Sequence, residues 1–198
     1  MSRLLILYAT SHGQTEKIVR RIAALMAGLG QDVTLVDAAQ APRDLFPGQY
    51  DGVLVAGSVL FGRHQRHLKR HVRRHAAALN ALPSAFLSVC GAAGTPAART
   101  YELEFLRRTG FEPKLVKTVG GAVRYTRYRL VTRLVMKLIS SRTGRPTDTS
   151  RDWEFTDWTE VERFTREFAE LLPGKRAPRR VTEPQEGGRP PIPVLLQG

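Results

Sequence analysis

Residues 4–9 form an unbroken apolar run that stops at the polar, glycine-containing segment 10–15, and a helical pattern begins directly behind it. A run this short, without polar alternation, marks a strand covered on both faces. In the following stretch Ile18, Ile22, Leu25, Met26 and Leu29 recur at helical spacing, and Gly28 and Gly30 mark its stop. The cycle then repeats. Residues 33–36, 52–56, 85–89 and 115–123 read as further strands, with helices over 65–79, where Leu68, Val72, Ala76 and Leu79 share a stripe, and over 97–108 behind Pro96. Buried strands alternating with helices predict an α/β protein with a doubly wound, five-stranded parallel sheet.

Two segments interrupt this rhythm. Residues 124–151 form a basic insertion near the fifth strand; 153–155 then reads as a short strand and 158–172 as a final helix capped by Thr156 or Asp157. From residue 173 to 198 proline, glycine, arginine and glutamate dominate, which predicts a mobile tail behind a single domain at 1–172. The lone Cys90 excludes an internal disulfide framework and points to a reducing cytoplasm. The run at 4–9 is too short for a signal peptide or a membrane-spanning helix. A net charge of +13 attracts anions: nucleic acid, an acidic membrane face or an anionic substrate.

The segment after the first strand, Thr10-Ser11-His12-Gly13-Gln14-Thr15, carries the clearest chemical signal. A strand, a tight turn and a helix start present free N–H groups and the positive end of the helix dipole to an anion. Thr10, Ser11 and Thr15 add hydroxyl donors, and Gly13 permits close backbone approach. The loop has no lysine, no G-x-x-x-x-G-K-[ST] spacing and no G-x-G-x-x-G fingerprint, which excludes a nucleoside-triphosphate loop and a dinucleotide turn. Two readings stay open: hydroxyl-rich recognition of a phosphate monoester, or a plain turn in which Ser11 or His12 caps the helix.

This loop resembles the phosphate loop of flavodoxins. Further on, Gly57-Ser58, Gly62, Leu82-Pro83-Ser84-Ala85-Phe86 with Ser88-Val89, Gly121-Ala122, Arg124-Tyr125, Arg127-Tyr128-Arg129, Lys137-Leu138-Ile139, Thr147-Asp148-Thr149 and Thr156-Asp157-Trp158 follow in order. The ordered set resembles the flavodoxin-like, quinone-dependent protoporphyrinogen IX dehydrogenases of bacterial haem synthesis. His12 departs from the hydroxyl or acidic residue often found at its position.

The resemblance implies a flavodoxin-like domain binding FMN, with the phosphate at 10–15. It places the isoalloxazine ring between Ser58, Val59, Leu60, Phe61 and Gly62 on one side and Cys90, Gly91, Ala92, Ala93 and Gly94 on the other, in keeping with ligands at the carboxyl ends of strands. Phe61 is the candidate ring-stacking aromatic, with ordinary packing as its alternative; for Cys90 a buried, small apolar role competes with approach to the flavin. The implied activity is hydride removal from protoporphyrinogen IX to flavin N5 in successive two-electron steps, with electrons passed to menaquinone or ubiquinone in the membrane. The chemistry is centred on the flavin and requires no catalytic side chain. The substrate's two propionates call for arginines, and Arg124, Arg127 and Arg129 are the candidates, with Tyr125 and Tyr128 as walls for the macrocycle.

On a helix over 127–142, Leu130, Val131, Leu134, Val135, Leu138 and Ile139 would share one stripe while Arg129, Arg133 and Lys137 lie elsewhere. Such a helix could rest on an anionic leaflet on the cytoplasmic face, or its stripe could pack on the protein's own sheet. His64, His67, His71 and His75 also recur at helical spacing. Arg63, Arg66, Lys69, Arg70, Arg73 and Arg74 around them would repel a dication, so a solvated basic face with some half-buried imidazoles is expected there and no metal. Three other functions share parts of this pattern: an NAD(P)H:quinone reductase on the same fold, a flavodoxin-type electron carrier, and a nucleic-acid binder. A carrier this basic would need an acidic partner. No helix-turn-helix, zinc-finger or RNA-recognition signature accompanies the charge, so no specific nucleic-acid partner is expected.

Overall fold

The computed structural model describes residues 2–42, 45–123, 125–127 and 148–173. Five strands, β1 (Arg3–Ala9), β2 (Asp32–Asp37), β3 (Gly52–Leu60), β5 (Ser84–Cys90) and β6 (Leu115–Gly120), pair in parallel in the order β2-β1-β3-β5-β6. The short β4 (Arg63–His64) folds back on β3 as an antiparallel hairpin arm, so the sheet has a sixth strand that the sequence pattern did not announce. Parallel neighbours require crossovers. These run through α1 (Gln14–Gly28), α2 (Arg66–Arg74) with α3 (Ala76–Asn80), and α4 (Pro96–Thr109); α5 (Trp158–Leu171) follows the last strand.

The continuous apolar runs are explained by two separate cores. Along β1, Leu4, Ile6 and Tyr8 enter a cluster with Ile18, Val19, Ile22 and Met26 of α1 and Val161, Phe164 and Phe168 of α5. Leu5, Leu7 and Ala9 enter the opposite cluster with Leu68, Val72, Leu79 and Phe105 of α2, α3 and α4. Alternate residues of one strand thus serve two layers, and each fully buried aliphatic or aromatic side chain contributes about 1.5–3 kcal/mol.

Three boundaries differ from the sequence expectation. The third strand continues from Ala56 to Leu60, which brings Ser58, Val59 and Leu60 into the strand end. The helix expected over 65–79 divides at His75, whose φ of −113° and ψ of 16° leave the helical region. The fifth strand stops at Gly120, and β7 (Ala122–Val123) instead pairs antiparallel with β8 (Trp153–Glu154). Asp157 caps α5, its carboxylate accepting from the N–H groups of Thr159 and Glu160. The helix expected over 127–142 and the tail beyond 173 lie outside the described residues, apart from Arg127, which ends a single 3₁₀ turn, Tyr125–Arg127. Among the described residues no helix is long and apolar enough to cross a membrane.

Candidate functional site

At the carboxyl end of β1 the chain turns through Thr10 to Gly13 into α1. Gly13 takes a φ of 85°, left-handed backbone that suits glycine, and donates its N–H to Thr10 Oγ1 at 2.9 Å. The helix start has no side-chain cap, and first-turn N–H groups have no carbonyl partner within their helix. Gly13, and neither Ser11 nor His12, occupies the N-cap position, and the Ser11 hydroxyl accepts from Gln65. Thr15, on the first turn, is fully buried, and its hydroxyl has no partner among the described residues. Leaving a buried polar group unsatisfied costs about 1–3 kcal/mol, which a ligand oxygen would relieve.

Long-range hydrogen bonds hold this loop against its neighbours. The Ser11 N–H donates to Ser58 Oγ at 3.1 Å. Gln65, in the turn before α2, donates its amide to both Ser11 Oγ and Ser58 Oγ. On the other side Gln14 Nε2 donates to Thr156 Oγ1 at 2.9 Å, and the Thr156 hydroxyl donates to the Gly120 carbonyl at 2.8 Å. Gln65 and Thr156 were missed as site residues. The loop residues they hold, Ser11 and Gln14, lie 54 and 142 positions away, which local spacing cannot reveal.

The loop opens onto a cleft with two characters. Thr10, Ser11, His12, Gln14, Thr15 and Ser58 line its polar part; Val59, Leu60, Val89, Ala122 and Val123 line the apolar part, with Gly91 and Gly121 between them. The structure thus brings together most of the residues expected at 10–15 and 58–60. It adds Val89 and the 121–123 segment, for which the only sequence signals were Ser88-Val89 and Gly121-Ala122 in the ordered set of family motifs. A Cβ on Gly120 would sit 2.0 Å from the Phe155 carbonyl oxygen, so only glycine lets β8 close over the end of β6.

Phe61 and Gly62 form the hairpin tip between the paired Leu60 and Arg63, and Phe61 takes a φ of 48°. Positive φ is unfavourable for a side chain of this kind, yet Phe61 is 56% exposed beside the cleft. Neither Phe61 nor Gly62 lines the cleft as it stands. Beyond β5, Cys90 is buried, and its Sγ accepts the Ala92 N–H at 3.2 Å in a tight turn; of residues 90–94 only Gly91 reaches the lining.

Tyr125 is fully buried in a small cluster with Val123, against Trp153 and Phe155. Arg124, Tyr128, Arg129 and the Arg127 side chain lie outside the described residues. The histidine row divides. His64 points inward, sharing a hydrogen bond with Ser88 Oγ at 3.1 Å and packing on Phe105 with ring centroids 4.9 Å apart. Burial, aided by the Lys69 charge, lowers its pKa to about 4. The rings of His71 and His75 pair at 4.8 Å nearer the surface.

A family model described as "Flavodoxin domain" matches residues 5–150. Over 176 residues the chain is 36% identical to the protoporphyrinogen IX dehydrogenase [quinone] of Escherichia coli strain K12, covering 85% of this chain and 96% of that protein. The chain belongs to the flavodoxin-like protoporphyrinogen IX dehydrogenase family. A relative of the same name from Leishmania major is 31% identical over 174 residues, covering 85% of this chain and 75% of that protein. In fold the chain is similar to the crystal structure of oxidised flavodoxin 1 from Bacillus cereus, with a TM-score of 0.56 at 16% identity over 87% of this chain and all of that one. A flavodoxin variant from Pseudomonas aeruginosa gives a TM-score of 0.54 at 17% identity over 86% and 98% of the two chains.

Membership of the family implies a flavin cofactor, and the residues present fit one. The unpartnered Thr15 hydroxyl and uncapped helix start suit a phosphate, while the apolar part of the cleft suits a flat ring. Its opening at the carboxyl ends of β1, β3 and β5 is where open α/β sheets hold their ligands.

Proposed function

We propose that this chain is an FMN-dependent enzyme that oxidises protoporphyrinogen IX to protoporphyrin IX and passes the electrons to a membrane quinone. The observation that carries the reading is the buried, unpartnered Thr15 hydroxyl at an uncapped helix start, in a chain that aligns with nearly the whole length of a protoporphyrinogen IX dehydrogenase. Thr10, Ser11 and Thr15 hold the phosphate monoester, with the 13–15 backbone and the helix dipole adding positive potential. Val59, Leu60 and Val89 border the ring and exclude water. Phe61, exposed at its strained tip, is the aromatic that closes over the ring, and the turn at 90–94 frames the other edge.

Bound flavin supplies the redox chemistry, taking up an electron pair from the substrate and giving it to the quinone. The protein's part is positional. Gln65 fixes Ser11 against Ser58, and Thr156 fixes Gln14 against the Gly120 carbonyl, which keeps the two sides of the cleft in register. Arg124, Arg127 and Arg129, with Tyr128, remain candidates for the insertion-side contact with the macrocycle, whereas the expected wall residue Tyr125 is buried against Val123, Trp153 and Phe155 and is not available for it. The insertion is the candidate for contact with an anionic cytoplasmic membrane face.

The purified protein is expected to be yellow and to oxidise protoporphyrinogen anaerobically when menaquinone or ubiquinone is supplied. Bleaching of the flavin by NAD(P)H, without protoporphyrinogen oxidation in the presence of quinone, would instead make it an NAD(P)H:quinone reductase. Failure of the colourless protein to take up FMN would remove the reading altogether.

A further inference from the structure

Beside the flavin cleft lies a second groove that the site described above does not use. Ser11 and Leu60 line both, and the second is walled by Arg63, Gln65, Arg66, Lys69 and Arg108. It continues along α2 through Arg66, Lys69 and Arg108 to Arg70 and Arg73. Arg66, Arg70 and Arg73 fall at i, i+4 and i+7, so their Cα atoms line one helix face over about 10 Å. Among the described residues Glu104 is the one carboxylate on the groove wall, and it pairs with Arg108 at 2.8 Å. Among the described residues Arg63, Arg66, Lys69, Arg70 and Arg73 have no ion pair.

Like charges one helical turn apart destabilise a helix, and α2 has no acidic residue in its first turn to offset them. An anion seated in the groove relieves that repulsion. Arginine forks favour planar oxyanions held by two hydrogen bonds, as carboxylates are. The groove meets the cleft at its lip, so a molecule with its reacting carbons at the flavin could extend its acidic edge along α2.

We infer that the groove of Arg63, Arg66 and Lys69 binds the substrate's carboxylates and selects for a diacid at the flavin mouth. The inference rests on the proposed reading of the cleft. It moves carboxylate recognition from the insertion to the start of α2. The same cations could meet a phospholipid headgroup, and the experiment separates the two sources.

The experiment compares protoporphyrinogen IX with its dimethyl ester, using flavin-loaded wild type and the double variant Arg63→Gln/Arg66→Gln. Wild type is expected to show a KM for the ester about 10- to 100-fold above that for the diacid, the worth of one or two charge-assisted hydrogen bonds, with kcat within about twofold. The double variant is expected to raise the diacid KM to the ester's value, leave the ester KM unchanged and keep the wild-type flavin spectrum, which reports an intact cleft. Equal KM for both substrates in wild type would overturn the inference. So would an unchanged diacid KM in the double variant, including the case in which that variant releases phosphatidylglycerol vesicles that wild type holds, or in which Arg127→Gln/Arg129→Gln abolishes the preference instead. If neither substrate is oxidised, the proposed reaction fails, and fluorescence titration with protoporphyrin IX and its dimethyl ester then decides the groove: preference for the diacid, lost in the double variant, supports it, and equal binding overturns it.

Discussion

Two helices start at the rim of the same cleft, and in the proposed reading they meet anions in opposite ways. α1 begins behind hydroxyls and backbone N–H groups, with no lysine or arginine in the loop and a buried Thr15 hydroxyl without a partner among the described residues. α2 begins with Arg66 and His67 and carries exposed cations along its length. Directional neutral donors in a shielded site read one phosphate and resist salt. Exposed charges read a carboxylate edge loosely and are screened over about 10 Å at 0.1 M salt. A cofactor that must stay and a substrate that must leave call for these different devices.

The largest expected effect lies beneath α2. His64 is buried and neutral, with a pKa lowered to about 4 from 6.5 by burial and then by Lys69. Because the folded value is the lower one, its contribution is complete above pH 6.5 and is lost as pH falls toward 4, in total about 3 kcal/mol. Urea unfolding across that window should show the loss, and His64→Gln should flatten it; a residual slope from His71 and His75, both also lowered by burial first, is expected. An unchanged slope in the variant would remove the pH sensitivity from this side of the sheet.

Next in size is Thr15→Val. In the flavin-bound protein it should weaken FMN binding about 10- to 100-fold, the worth of a hydrogen bond to a charged group. In the flavin-free protein it removes an unsatisfied buried hydroxyl, so thermal stability should hold or rise. Loss of stability in both forms would make Thr15 a structural residue. A smaller contrast comes from salt: between 50 and 300 mM the diacid KM should rise several-fold while FMN affinity changes little, because only the α2 site is exposed to screening. Matching salt dependence would erase the distinction.

The smallest effect belongs to Lys17, whose ammonium meets Glu154 at 2.7 Å and ties α1 to β8. Burial alone would raise the Glu154 pKa, but the bond and charge of Lys17, with hydrogen bonds from Gln14 and Trp158, together outweigh it and hold the carboxyl below its ordinary value. Both groups are well exposed, so Lys17→Gln should cost under about 1 kcal/mol by thermal unfolding.

The two helix starts were not equally readable in the amino-acid sequence. The first strand, its hydroxyl-rich turn and α1 are contiguous, so local pattern suffices to place the loop from Thr10 to Thr15 between strand and helix. The hairpin before α2 was hidden because its tip is Phe61-Gly62; a side chain at positive φ replaces the Asn-Gly or Asp-Gly that normally signals such a turn. The break at His75 has no proline or glycine to mark it. The fifth strand was expected to run on to Val123, and the reason it stops at Gly120, contact with the Phe155 carbonyl, lies 35 residues further along the chain than Gly120. Gln65 and Thr156 act only through the folded contacts that bring them to Ser11 and Gln14.

The central claim is that the loop from Thr10 to Thr15 grips a flavin by its phosphate. Parallel calorimetric titrations of flavin-free protein with FMN and with riboflavin, which lacks that phosphate, address it directly. FMN should bind at least about 100-fold more tightly, in line with several charge-assisted hydrogen bonds to the phosphate; equal affinities, or no binding of FMN, would contradict the account.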